Sequence, residues 1–212
     1  MEGAISALPI ACFFVFRFAR NVNWELAQLN PLDHSVTLRL APSDYSRKMW
    51  DENFEATLTT KLTGESLETE MRVTNKGRTA FDFQAALHSY FDVSDISKVS
   101  VGGSFSGKKF LNKMRKPAAE EVETRSELTV GEEYDRVYHG VNDCVLKDAG
   151  KGRALQIVND GGWKDTVVWS PYGNEGMGYK TFLCVESAAV APVTLKGGCT
   201  WTATLALVPA AL

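Results

Sequence analysis

Residues that build metal centres and disulfide frameworks are scarce in this sequence. Its 212 residues include only four cysteines and three histidines. The cysteines contain no Cys-x-x-Cys pair, and no histidine lies at metal-ligand spacing from them, so the sequence predicts neither a zinc site nor a disulfide-bonded scaffold. This cysteine usage fits a reducing compartment, and we therefore expect a cytoplasmic protein. The four cysteines are Cys12, Cys144, Cys184 and Cys199.

An excess of positive charge is absent as well. Lysine and arginine number 23 against 26 aspartates and glutamates, which gives a formal net charge of −3 at pH 7. Such a balance provides no basic field for a polyanion or an anionic membrane surface, so we expect neither nucleic acid nor a membrane as partner. With 44% apolar residues, the chain is long enough for one sizeable core, and a single globular domain is predicted.

Long hydrophobic runs are also missing, with one short exception near the N-terminus. The run ALPIACFFVF, residues 7–16, is too short to cross a bilayer as a helix. The residues before it carry Glu2 instead of the positive charge of a signal peptide. We favour a buried first strand, and a targeting segment is the alternative.

What the sequence does contain is alternation of apolar and polar residues, the period-2 pattern of half-buried strands. The pattern is clear in FEATLTTKL (54–62) and LETEMRV (67–73), and TGES (63–66) between them predicts a hairpin turn. Further predicted strands are FDFQAALHSYF (81–91), KVSVGGSF (98–105), RALQIV (153–158), DTVVWSP (165–171), YKTFLCVES (179–187) and TWTATLALV (200–208). No sustained helical stripe is present, and the charged piece at 117–128 is ambiguous. The pattern predicts an all-β fold, a large antiparallel β-sandwich.

One of these strands places His88 away from the main apolar face. Phe83 and Leu87 share one parity along the strand, whereas His88 and Tyr90 share the other. An imidazole beside an aromatic ring on the second face of a sheet suits a groove for a polar, partly apolar ligand such as a sugar. A solvated or hydrogen-bonded surface histidine is the alternative that this strand alone leaves open.

Motifs spread along the chain add a family resemblance. They are Leu-His-x-Tyr-Phe within residues 87–113, Asp-Arg-Val-Tyr within 132–143 and Cys-Val-Glu within 165–207, supported by the stretches at 18–26 and 46–62. With these blocks in this order, the chain from residue 18 to its end resembles the glucose-6-phosphate 1-epimerase branch of the galactose mutarotase-like (aldose 1-epimerase) superfamily.

The resemblance implies a β-sandwich of the galactose mutarotase type with a substrate groove across one sheet. It implies an enzyme that interconverts the α and β anomers of a hexose 6-phosphate without a metal or organic cofactor, so the expected partner is a small sugar phosphate. His88 matches the family's catalytic histidine and Glu186 its catalytic glutamate. Asp135 matches a substrate-binding acid and Arg20 a substrate-binding arginine. We expect the protein to be a monomer.

Each of these residues also has a purely structural interpretation. Glu186 lies in an apolar run, where a carboxylate is costly unless it is paired or functional, so a role is favoured over a buried ion pair. From the residues alone, an ion pair with Arg136 is the simpler account of Asp135, and a solvated charge at a strand end accounts equally well for Arg20. Three aromatic residues are expected in the core and at its rim rather than as sugar-stacking platforms: Trp169, Trp201 and Tyr179.

The implied reaction requires an acid and a base. Opening a cyclic hemiacetal needs one group to protonate the ring oxygen while another accepts the proton of the anomeric hydroxyl. With ordinary pKa values of about 6.5 and about 4.3, a histidine donates and a glutamate accepts near neutral pH. We therefore assign Glu186 as base and His88 as acid. No activated Ser or Cys indicates a covalent intermediate.

The N-terminal region departs from the family pattern. Phe16 and Arg17 stand where the family usually has histidine and glycine, and its upstream strands, with an arginine-glycine segment for the sugar phosphate, have no counterpart. We expect a shortened or alternatively started chain, with residues 1–15 as a divergent segment and 16–212 as the sandwich domain. Three functions are then possible: an active mutarotase, a carbohydrate-binding or regulatory module with little turnover, or an inactive truncated product. The two retained proton-transfer residues favour the first over the second, since binding alone does not require both, whereas the missing upstream strands favour the third.

Overall fold

The computed structural model describes residues 10–11 and 16–212, with side chains from residue 18 onward. The strands in this part are β1 (Ile10–Ala11), β2 (Glu25–Asn30), β3 (Ser35–Leu40), β4 (Phe54–Leu62), β5 (Leu67–Asn75), β6 (Phe81–His88), β7 (Tyr90–Asp92), β8 (Val99–Gly103), β9 (Lys109–Asn112), β10 (Ala119–Val122), β11 (Glu127–Thr129), β12 (Tyr134–Tyr138), β13 (Asp143–Asp148), β14 (Arg153–Gly161), β15 (Asp165–Ser170), β16 (Phe182–Leu195) and β17 (Thr200–Ala211). A one-turn helix, α1, spans Asp44–Arg47, and short 3-10 helices span Phe16–Asn21, Ile96–Lys98, Glu175–Met177 and Tyr179–Thr181.

The strands form two large sheets. The front sheet has the order β1-β6-β16-β15-β12-β9-β10, with β7 also paired to β16. The back sheet has the order β11-β8-β13-β14-β17-β5-β4-β3-β2. Neighbouring strands in both sheets are antiparallel. This architecture confirms the predicted all-β, antiparallel β-sandwich.

Side chains from the facing sides of the two sheets form the main core. In β5, Met71 is fully buried while the next residue, Arg72, is exposed, as period-2 geometry requires. Phe83 of the front sheet packs edge-on against Trp201 of the back sheet, with ring centroids 5.3 Å apart, and Trp201 packs against Trp163 at 5.0 Å. Trp201 therefore belongs to the core, as predicted. Full burial of a Phe or Met side chain stabilises the fold by roughly 1.5–3 kcal/mol.

The predicted hairpin is confirmed at both strands and at its turn. β4 has the predicted bounds, and β5 extends the prediction by two residues to Asn75. In the turn, the N–H of Thr63 donates to the carbonyl oxygen of Ser66 over 2.9 Å. The Thr63 hydroxyl in turn accepts from the N–H of Ser66 at 2.8 Å. A threonine side chain thus closes the turn that its sequence predicts.

The strand predicted over residues 81–91 is interrupted. β6 ends at His88 and β7 begins at Tyr90, because the N–H of the buried Ser89 donates to the carbonyl oxygen of Leu87 at 3.0 Å. The ambiguous piece at 117–128 contains β10 and the start of β11. Five strands lie outside every predicted stretch: β2, β3, β9, β12 and β13.

Most of the predicted first strand, residues 7–16, lies outside the described residues. Two described residues of this range form β1, which pairs with β6 so that Ile10 is opposite His88 and Ala11 is opposite Leu87, whereas Phe16 begins a 3-10 helix instead of ending a strand. The predicted division between residues 1–15 and 16–212 stays a prediction, because residues 1–9 and 12–15 are not described.

Candidate active site

The outer face of the front sheet carries a second, smaller apolar cluster. It consists of buried residues from β6, β12, β15 and β16, which are Ala86, Val137, Val167 and Ala188, with Leu111 and Val190 packed against them. These side chains are short, so they form a shallow apolar surface on the side of the sheet that faces away from the main core. We call this surface the groove floor, and it distinguishes the face from an ordinary solvated sheet face.

His88 and Glu186 lie together at one end of the groove floor. Leu87 is paired with Ser187 across β6 and β16, so the next residues along these antiparallel strands, His88 and Glu186, are also opposite each other. The distance from His88 Nε2 to Glu186 Oε1 is 3.4 Å. The structure thus brings the two predicted proton-transfer residues into direct contact.

Glu186 is 2% exposed and poorly solvated. Its Oε2 has no hydrogen-bond partner among the described residues. Burial penalises the ionised carboxylate and raises the pKa of Glu186 to about 8, although the nearby positive charge of Lys113 acts in the opposite direction. The carboxyl group therefore keeps its proton at neutral pH in the substrate-free protein.

His88 is held by aromatic rings. Its imidazole stacks on the ring of Tyr90, with centroids 4.6 Å apart and an interplanar angle of 8°, and it meets the ring of Trp169 edge-on at 5.8 Å. Burial of the imidazole lowers the pKa of His88, and the positive charge of Arg20 lowers it further. The substrate-free pair consequently holds one proton near neutral pH, with the carboxyl protonated and the imidazole neutral.

Asp135 lies on the same face, two strands away from Glu186. It is opposite Trp169 of β15, and its Oδ1 lies 3.2 Å from Nζ of Lys113. The neighbouring Arg136 points to the other side of the strand, where it pairs with Glu132 at 2.5 Å. The adjacent Asp135–Arg136 ion pair considered from sequence is therefore not formed, and Asp135 presents its carboxylate to the groove side of the sheet.

Arg20 lies close enough to act on His88 through its charge. It belongs to the 3-10 helix at Phe16–Asn21, which the buried Phe18 anchors by packing on Phe54 at a centroid distance of 5.8 Å. The Arg20 side chain is exposed, and it forms no ion pair with any residue in the part of the chain that has described side chains. An exposed guanidinium beside the pair leaves its donors available to an anionic group.

Two residues of the site were not predicted from sequence. Lys113 follows β9, a strand that the alternation does not indicate, so no face could be assigned to it. Trp169 was expected in the core or at its rim, but it lies beside His88 and packs on Phe182 at 5.9 Å. Its parity with Val167 of the groove floor is the signal that places it there. Among the described residues, no group of His, Cys, Asp and Glu could hold a metal ion.

Comparison with known proteins agrees with this fold. The sandwich is of the galactose mutarotase-like type: the crystal structure of a protein from Salmonella typhimurium, provisionally described as a mutarotase, is 31% identical and superposes with a TM-score of 0.79, covering 92% of this chain and 67% of that one. The model of the aldose 1-epimerase family matches residues 18–208, and the chain belongs to that family.

Two curated relatives carry the provisional name glucose-6-phosphate 1-epimerase. The one from Cenchrus ciliaris is 33% identical over 210 residues, which cover 90% of this chain and 63% of the relative. The one from Salmonella typhimurium is 36% identical over 187 residues, covering 82% of this chain and 60% of the relative. The chain thus spans less than two thirds of the length of these relatives. No helix in the described ranges is long and apolar enough to cross a membrane.

Proposed function

We propose that the chain interconverts the α and β anomers of a hexose 6-phosphate, with glucose 6-phosphate as substrate. The observation that carries the proposal is the 3.4 Å contact between His88 Nε2 and Glu186 Oε1 beside an apolar floor. Membership of the aldose 1-epimerase family supports the reaction, and the names of the curated relatives support the sugar phosphate.

The proposed reaction needs only one proton in the pair. In ring opening, Glu186 as base accepts the proton of the anomeric hydroxyl while His88 as acid protonates the ring oxygen, and the C1–O5 bond breaks to give an open-chain aldehyde. After rotation about the C1–C2 bond, the C5 hydroxyl attacks the other face of the aldehyde. Glu186 then returns its proton to the carbonyl oxygen and His88 recovers a proton from the C5 hydroxyl. Both residues thereby regain the protonation states in which they began.

The protonation of the substrate-free pair matches the ring-opened stage of this cycle. Burial keeps the proton on Glu186 and leaves His88 neutral, which is the state that ring opening produces. A cyclic sugar requires the proton on His88, which takes one transfer across the contact between Oε1 and Nε2. The proposed reaction therefore begins with transfer of this proton from Glu186 to His88, which the 3.4 Å contact allows.

Asp135 and Arg20 are proposed as substrate-binding residues. The Asp135 carboxylate lies on the same face as the pair and can accept hydrogen bonds from sugar hydroxyls. The exposed guanidinium of Arg20 suits a phosphate, because guanidinium and phosphate form short charge-assisted hydrogen bonds.

Exchange spectroscopy by NMR tests the proposal directly. The exchange rate between the α and β anomers of glucose 6-phosphate is measured with and without protein, and the spontaneous rate is subtracted. We expect His88→Asn and Glu186→Gln each to lower the catalysed rate by at least about a hundredfold, because each removes a proton-transfer group. His34→Asn is the matched control, since His34 is exposed in a turn with a φ of 49°, a conformation that asparagine tolerates.

The outcomes separate the candidate functions. Circular dichroism and thermal melting of each variant establish that it is folded before its rate is interpreted. A folded His88→Asn protein that keeps most of the wild-type rate would show that the pair is not the catalyst. Saturable binding of glucose 6-phosphate without any catalysed exchange would indicate a carbohydrate-binding module instead.

A further inference from the structure

Lys113 and Asp135 form an ion pair across two strands of the front sheet. Arg136 is opposite Asn112 in the β9–β12 pairing, so Lys113, which follows β9, comes opposite Asp135. The backbone N–H of Lys113 donates to the Asp135 carbonyl oxygen at 2.9 Å, and its Nζ lies 3.2 Å from Asp135 Oδ1. The two residues are therefore linked through both backbone and side chain. The Lys113 side chain is 23% exposed and that of Asp135 30%, so the ion pair is partly shielded from water.

The two charges of this ion pair act on both members of the proton-transfer pair. The positive charge of Lys113 lowers the pKa of Glu186 and of His88, and the negative charge of Asp135 raises both. Because the two charges are opposite and adjacent, their effects largely cancel as long as both are present. Among the described residues, the ionisable groups on this face of the sheet and beside it are Arg20, Asp82, Tyr90, Lys109, Lys113, Glu120, Asp135, His139, Asp165 and Cys184.

We propose that Lys113 is a positioning residue for the anomerisation: it orients the Asp135 carboxylate toward the sugar and neutralises its charge beside the His88–Glu186 pair. This inference rests on the proposed function. Without Lys113, Asp135 keeps its negative charge but loses the ammonium group that holds it in place. The uncompensated charge then disfavours the ionised carboxylate of Glu186 and favours the protonated imidazolium of His88. The pair carries one proton between a lower pH limit, the pKa of His88, and an upper limit, the pKa of Glu186. Both limits therefore rise when Lys113 is removed.

Four variants test this role: Lys113→Met, Lys113→Arg, Asp135→Asn and the Lys113→Met/Asp135→Asn double variant. In Lys113→Met, we expect the acidic and alkaline limits of the pH–rate profile to rise by at least about half a pH unit. Lys113→Arg keeps the charge and should keep both limits. Asp135→Asn should lower both limits, and the double variant should return them close to the wild-type values, because neither charge remains.

A second readout does not depend on turnover. The pKa of His88 is measured from its imidazole NMR signals in the substrate-free protein, with the His88→Asn variant used to assign them. We expect it to rise in Lys113→Met, to fall in Asp135→Asn and to stay unchanged in Lys113→Arg. An inactive wild-type protein in which the His88 pKa still moves in this way would refute the proposed reaction but not the charge balance. An unmoved His88 pKa and unmoved pH limits in a folded Lys113→Met protein would overturn the inference.

Discussion

Replacement of Glu186 by glutamine should stabilise the fold at alkaline pH while it abolishes catalysis. In an unfolded chain the carboxyl titrates at its ordinary pKa of 4.5, whereas burial raises the native pKa to about 8. Between these values the unfolded chain has released a proton that the native protein retains, so the free energy of unfolding falls as pH rises. Above pH 8 the full difference corresponds to about 5 kcal/mol for the wild-type carboxyl.

Urea unfolding at two pH values measures this effect. At pH 5 we expect the free energies of unfolding of wild type and Glu186→Gln to agree within about 1 kcal/mol, because this pH lies only slightly above the unfolded pKa of 4.5 and little of the proton-linked free energy has been lost. At pH 8.5 we expect Glu186→Gln to be more stable by at least about 2 kcal/mol. This is less than the full difference, because water penetration and structural relaxation reduce the cost of ionising a buried carboxyl. His88 is present in both proteins, so its own titration largely cancels in the difference.

A glutamine substitution at an exposed glutamate is the control that separates the effect of burial from the effect of removing a negative charge. Glu65 lies exposed in the turn between β4 and β5, so Glu65→Gln should change the free energy of unfolding by the same small amount at both pH values. If Glu186→Gln and wild type differ by the same amount at pH 5 and pH 8.5, the carboxyl is not held protonated by burial. The account of the resting pair would then have to be abandoned.

Three further outcomes follow from the same structure. The catalysed rate should fall above about pH 8, where Glu186 loses the proton of the pair, and again below the lowered pKa of His88, as a pH–rate profile will show. Arg20→Ala should narrow the preference for glucose 6-phosphate over glucose in kcat/KM, and equal turnover of both sugars by wild type would contradict a phosphate role for Arg20. Burial alone would raise the pKa of Glu123, but hydrogen bonds from Arg125 bring it down to about 2. Because the Arg125 side chain is 39% exposed and solvent screens the pair, Glu123→Gln should lower the free energy of unfolding in urea by roughly 1 kcal/mol at neutral pH, and by progressively less as pH falls from 4.5 toward 2.

Alternation of apolar and polar residues reveals strands in which one face is buried and the other is solvated. β4 and β5 show this plainly, because the main core covers one face of each and water covers the other. The alternation pattern did not predict β12, and there is a physical reason for this. Its residues Arg136, Val137 and Tyr138 are all buried, since the main core lies on one side of the strand and the groove floor on the other. A strand that is buried on both faces shows no alternation to detect.

Some residues of the candidate site also stand out in the sequence pattern, whereas others do not. His88 was singled out by its parity in an aromatic strand and Glu186 by its place in an apolar one, but the resemblance to the family assigned their roles. Lys113 carries no such signal, since its relation to Asp135 depends on the pairing of β9 with β12. Registers between strands that are distant in sequence are set by tertiary packing, which local patterns do not encode.

The apolar floor explains why the pair needs a compensating charge nearby. Beside the apolar floor formed by Ala86, Val167 and Ala188, Glu186 is excluded from water, and this burial raises its pKa to about 8, above the lowered pKa of His88. The pair therefore keeps its single proton on the carboxyl, and the charges beside it shift the pH range over which that state persists. An unbalanced Asp135 in the same poorly solvated face would raise both pKa values and move the one-proton range away from neutral pH. If Asp135 binds the sugar as proposed, the ammonium group of Lys113 offsets the effect of its charge on this acid–base pair.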